Sequence, residues 1–324
     1  HAPPEYIAGS LAALREDEDL RVLLVGAPDV IEPRLVPLPA SLRGRIEVAP
    51  ASQVVAMSES PREAIRRKKD SSMRVAVDRV QAGEACACVS AGNTGALTAI
   101  AHFVLGMLPG VERAAIVSAI PAAHGHTHML DLGANTTATP EQLRQFAAMG
   151  AIIARDVYGR TAPRIGLLNI GEEDMKGDEL VQAAHALLGA SGLNYVGFVE
   201  GDDIFSGDVD VVVTDGFTGN VALKTMEGVA GLIADRLRQE FDASWPDRLA
   251  GLIARPVLRR AAAALDPRRY NGACMVGLAG IVVKSHGRAD GMAFARAIGT
   301  AALAARRGLT GHIAQALRTE GATT

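Results

Sequence analysis

Residues 209–228 read VDVVVTDGFTGNVALKTMEG, and this stretch decides the fold class. Residues 209–214 are a short apolar run rich in β-branched residues, the pattern of a strand buried on both faces. The run breaks at Asp215-Gly216, and from Thr218 the apolar positions Ala222, Met226, Val229, Ile233 and Leu237 recur at helical spacing. Strand, glycine turn and helix is half of a βα unit, and the same order recurs elsewhere. ACACVS at 85–90 precedes AGNTG and a helix to about Met107; RIGLLNI at 164–170 precedes Gly171 and a helix after Gly177. LRVLLVG at 20–26 is a further buried strand, and Thr139-Pro140-Glu141-Gln142 is a capping box opening a helix that runs to about Tyr158. This alternation predicts an α/β fold of three layers, a mostly parallel sheet with helices on both faces. Residues 114–120 and 127–132, joined by a Gly/His turn, are expected to add an antiparallel hairpin. The whole chain, 1–324, reads as a single domain with a protruding helical tip over 242–270.

Composition narrows the function. Net charge is −3 and aromatics are 4% of residues, so the chain lacks both the basic field and the stacking platforms of a nucleic-acid binder. No apolar run approaches the ~18 residues of a membrane span, and no basic-then-apolar leader opens the chain. Cys86, Cys88 and Cys274 are too few and odd in number for a disulfide framework, which points to a reducing compartment. Cys86 and Cys88 alternate on a strand and are expected to be small core residues.

The polar signal follows the strands. Gly92-Asn93-Thr94-Gly95, Gly133-Ala134-Asn135 after Asp131, Gly171 with Lys176-Gly177, and Asp215-Gly216-Phe217-Thr218-Gly219-Asn220 each stand at an expected strand end. Ligands of open α/β sheets bind there, and glycine amides at helix N-termini suit phosphate. Any one such cluster is also an ordinary turn with a helix cap; four on one rim favour an anion site. No G-x-x-x-x-G-K-[ST] and no strand-linked G-x-G-x-x-G is present, which weakens kinase and simple dehydrogenase readings. Lys176 stands in a loop with five acids, of formal charge −4 between Gly171 and Glu179, either self-paired or a cationic anchor for phosphate or an oxyanion.

Three other segments need a reading. Arg66, Arg67, Lys68 and Lys69 form a charge run that serves as a solvated helix face or greets an acidic partner. Residues 244–270 carry six arginines against two aspartates, with Trp245, Leu249, Leu252, Ile253, Val257 and Leu258 as large apolar residues, and Pro256 is expected to divide them into two short helices. Such helices lie in a membrane interface or pack on a partner. His124, His126 and His128 would share one face of a strand, but no acid or cysteine accompanies them, and no metal is expected.

In the order RRKKDSSM, SAGNTGAL, LDLGAN, LLNIGEEDMKG, VVTDGFTGNVALKTMEG and NGACMVGL…VVKSHG, the chain resembles the bacterial phosphate acyltransferases of the PlsX family, from residue 1 to about 302. The resemblance implies a fold related to isopropylmalate dehydrogenase and phosphotransacetylase. It implies a cytoplasmic homodimer, peripherally membrane-associated through its helical tip, that moves a fatty acyl group from acyl-[acyl-carrier-protein] to inorganic phosphate, without a cofactor. The acyl phosphate would feed a membrane glycerol-3-phosphate acyltransferase of phospholipid synthesis. On this reading Lys176 and Asn220 are catalytic, and phosphate or substrate is held at Gly92, Asn93, Thr94, Gly95, Asp131, Gly133, Asn135, Asp215, Gly216, Thr218 and Gly219. Arg66 to Lys69 would dock the carrier protein. The resemblance also implies a strand ending in Met-Gly-Gly-Asp ahead of a segment like His1-Ala2-Pro3, and that strand is not among these residues. An acyl-CoA-using phosphotransacetylase, a metal- and NAD-dependent hydroxyacid dehydrogenase of the same architecture, and a non-catalytic carrier-protein scaffold stay open as alternatives.

Overall fold

The computed structural model describes residues 3–321 apart from 174; His1, Ala2 and Asp174 lie outside the described residues. Helix α1 (Pro3–Glu16) leads into β1 (Val22–Gly26), α2 (Pro28–Leu35), α3 (Ala40–Arg43) and β2 (Ile46–Pro50). β1 and β2 pair in parallel and form a sheet of their own. The strand expected at 20–26 therefore exists, but outside the main sheet. Arg45 secures this unit by donating to the Leu14 and Asp17 carbonyls (2.6 and 2.8 Å) at the C-terminus of α1, where unpaired carbonyls favour a cation. α4 (Pro61–Arg67) and α5 (Ser72–Gln81) both begin on serine caps, Ser60 and Ser71.

The remaining elements are β3 (Ala87–Ser90), α6 (Thr94–Leu105), β4 (Ala115–Ala122), β5 (Gly125–Leu130), α7 (Pro140–Ile152) and β6 (Ile165–Leu168). Next come α8 (Glu179–Gly189), β7 (Tyr195–Val199), β8 (Val211–Val213) and the long α9 (Gly216–Asp242). α10 (Trp245–Leu265), β9 (Ala273–Val276), β10 (Ile281–Lys284), α11 (Gly291–Arg306) and α12 (Leu309–Gly321) complete the chain. The capping box at Thr139 forms as expected, with Gln142 closing it.

Eight strands make one sheet in the order β3-β10-β9-β4-β5-β8-β6-β7. Alternate strand residues enter two different cores. Val117, Val211, Val213 and Val283 face α7, α8, α11 and α12, while Ile116, Val212 and Val282 face α5 and α6. Two buried faces are what the unbroken apolar strands demanded, and they give the three layers.

Strand direction departs from the simple expectation. β3 and β10 are parallel, as are β5, β8, β6 and β7, but β10–β9, β9–β4 and β4–β5 are antiparallel. The sheet thus has two parallel halves running in opposite directions, joined through β9 and β4. The strand ends at Ser90 and at Asp131 do not lie on one rim, as periodicity alone suggested. They approach each other head-on. Lys284 stands opposite Ser90 and Ala273, while Val117 of β4 pairs with Cys274 and Ser118 with Met129. The C-terminal ends of both halves therefore reach the same level of β4, near Ile116 to Ser118.

Two local expectations are corrected and one strand is added. β9 has no counterpart in the sequence pattern, because four residues between Gly272 and Gly277 are too few to show one. Pro256 does not divide its segment: α10 runs unbroken through it from Trp245 to Leu265, so the proline costs one helical hydrogen bond without ending the helix. Cys86 is exposed just before β3, whereas Cys88 and Cys274 are buried.

Candidate active site

A broad cleft opens on the face of the sheet covered by α5, α6 and α9. Its floor is formed by the ends of β3 and β10 and by β4, and one wall by the cleft-facing side of α9. Ser90, Gly92, Thr94, Gly133 and Asn220 all line it. The expected groups are thus partly assembled, and the way each is bonded separates framework from free functional groups.

Asp131 is fully buried, and both carboxylate oxygens are occupied. Oδ1 accepts from the amides of Ile116, Gly133 and Ala134 at 2.9–3.1 Å, and Oδ2 from the amide and side chain of Asn135 at 2.8 and 3.0 Å. The Asn135 side chain donates again to the Ala114 carbonyl (2.7 Å). Asp215 caps α9, accepting from the amides of Phe217 and Thr218 and from the Thr218 hydroxyl at 2.6 Å. Gly216 and Gly219 pack this helix start against the 131–135 loop; a Cβ on Gly219 would overlap the Asp131 carbonyl oxygen. Asn93 caps α6 through Oδ1 and donates from Nδ2 to the carbonyls of Met57 and Glu59, each at 2.9 Å. Asp131, Asn135, Asp215 and Asn93 are therefore organisers of the cleft, not groups turned toward a ligand. The physical reason is that amides of this kind need acceptors, and short polar side chains supply them locally.

Asn220 differs from the other two asparagines. It is exposed in the first turn of α9, its side chain lies against Gly133, and its amide takes no hydrogen-bond partner among the described residues. The Thr94 and Gly95 amides at the start of α6 are likewise without a partner among the described residues. Lys176 is exposed in the loop after β6, and its ammonium has no described partner. Only its backbone is tied, by Asn169 and Gln182 donating to its carbonyl. That loop is not part of the cleft lining, but β6 is the immediate parallel neighbour of β8, from which α9 and Asn220 depart.

The structure adds a cluster that sequence reasoning missed. Lys224 and Glu227 follow Asn220 by four and seven residues and share its face of α9. Lys224 pairs with Glu227 at 2.7 Å, and His286 Nε2 stands 3.7 Å from the same carboxylate. His286, then Lys224, hold the Glu227 carboxyl down at about 2. Lys284 ends β10, half-buried; burial, and then the charge of Lys224, bring its ammonium down to about 8. The available signals were the helical spacing from Asn220 and a cation closing the apolar strand IVVK.

The other candidate residues lie elsewhere. Arg66, Arg67 and Lys69 are exposed around the end of α4, while Lys68 is engaged with Glu59 (3.6 Å) and the Val54 carbonyl (3.2 Å). Trp245, Leu249, Leu252, Ile253 and Val257 are exposed on α10, and Leu258 is half-buried toward the cleft. His126 and His128 share one face of β5 with Tyr158, and His124 sits at the turn. Burial keeps His128 neutral, its imidazole down at about 3. Burial pushes the Cys88 and Cys274 thiols up to about 12, so neither is a ready nucleophile.

Solved structures place the fold. A branched-chain phosphotransacylase from Enterococcus faecalis is 14% identical and superposes with a TM-score of 0.58, covering 94% of this chain and 96% of its own. The EutD phosphotransacetylase from Staphylococcus aureus is 15% identical with a TM-score of 0.56, covering 96% and 91%. The fold is thus of the phosphotransacetylase class. Relatives at the sequence level are closer. The phosphate acyltransferase of Alkalilimnicola ehrlichii is 55% identical over 98% of this chain and 93% of its own, and that of Methylococcus capsulatus 54% over 92% and 88%. The family signature described as "Fatty acid synthesis protein" matches residues 1–311. The chain belongs to the phosphate acyltransferase family and is an acyltransferase.

Proposed function

We propose that the protein transfers a fatty acyl group from acyl-[acyl-carrier-protein] to inorganic phosphate, giving acyl phosphate and free carrier protein for phospholipid synthesis. The observation that carries this reading is the uncommitted Asn220 amide lying against Gly133 in the cleft, in a chain of this family. A thioester is already activated, so no strong base is needed. A phosphate oxygen attacks the carbonyl carbon, the C–O bond forms, and the C–S bond breaks as the thiolate leaves and takes up a proton. Asn220 donates to the oxygen that gains charge in between, and Lys176 supplies a further positive charge from the adjacent loop. The open amides of Thr94 and Gly95 add donors for an anion. Trapping the product with hydroxylamine tests the whole reading. Acyl hydroxamate is expected from acyl-carrier protein plus phosphate, and more slowly from acyl-CoA. A faster reaction with acyl-CoA would make it a phosphotransacetylase-like enzyme, and no product from either donor would leave a scaffold.

Carrier-protein docking at Arg66 and Arg67, with Lys69 and the more engaged Lys68, is supported by exposure beside the 57–59 segment that Asn93 ties to the cleft. Arg66→Glu with Arg67→Glu is expected to raise the KM for the acidic carrier protein roughly tenfold at unchanged kcat; an unchanged KM discards the docking role. Peripheral membrane binding in the cytoplasm is supported by α10, where Leu252 and Ile253 are 62% and 73% exposed among arginines. No helix among the described residues is long and apolar enough to cross a membrane. Leu252→Glu with Ile253→Glu should abolish co-sedimentation with anionic vesicles, and retained binding would leave only a packing role. A homodimer fits the exposed Phe217 and Val221 early in α9, and a membrane glycerol-3-phosphate acyltransferase fits as the consumer of the product.

A further inference from the structure

We infer that Lys284 and Lys224 together form the seat of the phosphate acceptor, with Lys284 at the floor of the cleft and Lys224 at its wall. The inference rests on the acyl-phosphate reading above and assigns residues that reading did not use.

Lys284 is the outlier of its strand. Ile281, Val282 and Val283 are buried, and the chain then ends β10 with a half-buried lysine turned into the cleft. Its in-register neighbours are small, Ser90 on β3 and Ala273 on β9, so space is left beside the ammonium. Lys284 makes no ion pair among the described residues; its Nζ donates only to the Ser285 carbonyl. The segment behind it is held rigidly. Asn271 donates to the Ser285 hydroxyl (2.8 Å) and to the Ala293 carbonyl (2.7 Å), and accepts from the His286 amide (2.9 Å). A fixed, half-buried ammonium without a counter-ion is unfavourable on its own, and here a second ammonium adds to the cost.

The charges around Lys284 explain why an anion is the fitting ligand. From α9, Lys224 repels it and Glu227 stands between Lys224 and His286. From the segment before β9, Arg268 is already paired with Asp266 and Asp290 at 2.7 and 3.0 Å. Glu227 is a carboxylate near an anion seat, but it is engaged by Lys224 and His286 and holds Lys224 in place. Two lysines against one carboxylate leave Lys284, Lys224 and Glu227 with one net positive charge. A phosphate dianion between the two lysines would reverse their repulsion and restore the full charge of Lys284. It would also lie on the face of α9 that carries Asn220 one turn away, beside the carbonyl it attacks.

The test uses the full chain with Lys284→Met and Lys224→Met; Lys224 is on an exposed helix face, so that variant keeps the fold if the other does not. Two measurements are made: the rise in Tm caused by inorganic phosphate against chloride at equal ionic strength, and steady-state KM values. Each variant is expected to lose the phosphate-dependent rise and to raise the KM for phosphate at least tenfold, with the KM for acyl-carrier protein within twofold. In the unmodified protein the KM for phosphate should climb above about pH 8, as Lys284 loses its proton, and this climb should vanish in Lys284→Met. Wild-type phosphate stabilisation and KM in both variants would overturn the seat. Loss of phosphate stabilisation in the variants, in a protein that makes acyl phosphate from no donor, would uphold the seat and sink the acyl-transfer reading instead.

Discussion

Asn220→Ala should lower the rate of acyl phosphate formation by about 10²–10³-fold, the cost of removing one preorganised donor to a developing oxyanion. The fold should survive. Asn220 is exposed, its side chain bonds to nothing described in the protein, and alanine is a good residue for the helix turn it occupies. The loss should appear in kcat, because the amide acts on charge that exists only as the phosphate attacks. Lys176→Ala should behave similarly for the same reason, with its exposed side chain leaving no hole behind. Near wild-type turnover in a carrier-protein release assay for both variants would remove both residues from the mechanism.

Asp131→Ala should act in the opposite way, through stability. The carboxylate serves five donors from a fully buried position, and its removal leaves four backbone amides and one side-chain amide without an acceptor. An unsatisfied buried donor costs about 1–3 kcal/mol; the Ile116 amide is buried and the other four donors are part-buried, so a loss of about 1–3 kcal/mol is expected, visible as a lower Tm and denaturant midpoint. Gly219→Ala should be harmful at the same junction, because its Cβ would overlap the Asp131 carbonyl oxygen. An Asp131→Ala variant with the wild-type midpoint would mean that water or neighbouring carbonyls take over those amides, and the organising role would fall.

The secondary structure was largely legible because its signals are local. The capping box at Thr139 and the apolar periodicity from Thr218 were both readable, and α7 and α9 form where they point. The hairpin of β4 and β5 was legible too, from two apolar runs around a Gly/His turn. Direction was not: apolar runs carry no arrow, so the reversal between the two halves of the sheet, and the short β9 that helps bring it about, had no local signature. The site shows the same limit. A glycine–asparagine cluster at a strand end looks alike whether its asparagine is free, as at Asn220, or consumed by the backbone, as at Asn93 and Asn135. The cation closing IVVK was a faint signal for Lys284, whose significance comes from Ser90 and Ala273 beside it and Lys224 across from it, all remote in sequence or known only through the register.

β4 works as a ruler. One of its edges measures where β9, and through it Lys284, stops; the other measures where β5 turns into the loop that holds Gly133 against Asn220. A slip of one residue along either edge would move one set of groups about 3.3 Å past the other and turn alternate side chains to the wrong face. Substitutions at Ala115, Val117 or Cys274, which are buried and far from any reactant in chemical character, would then disable the enzyme by miscalibrating a distance.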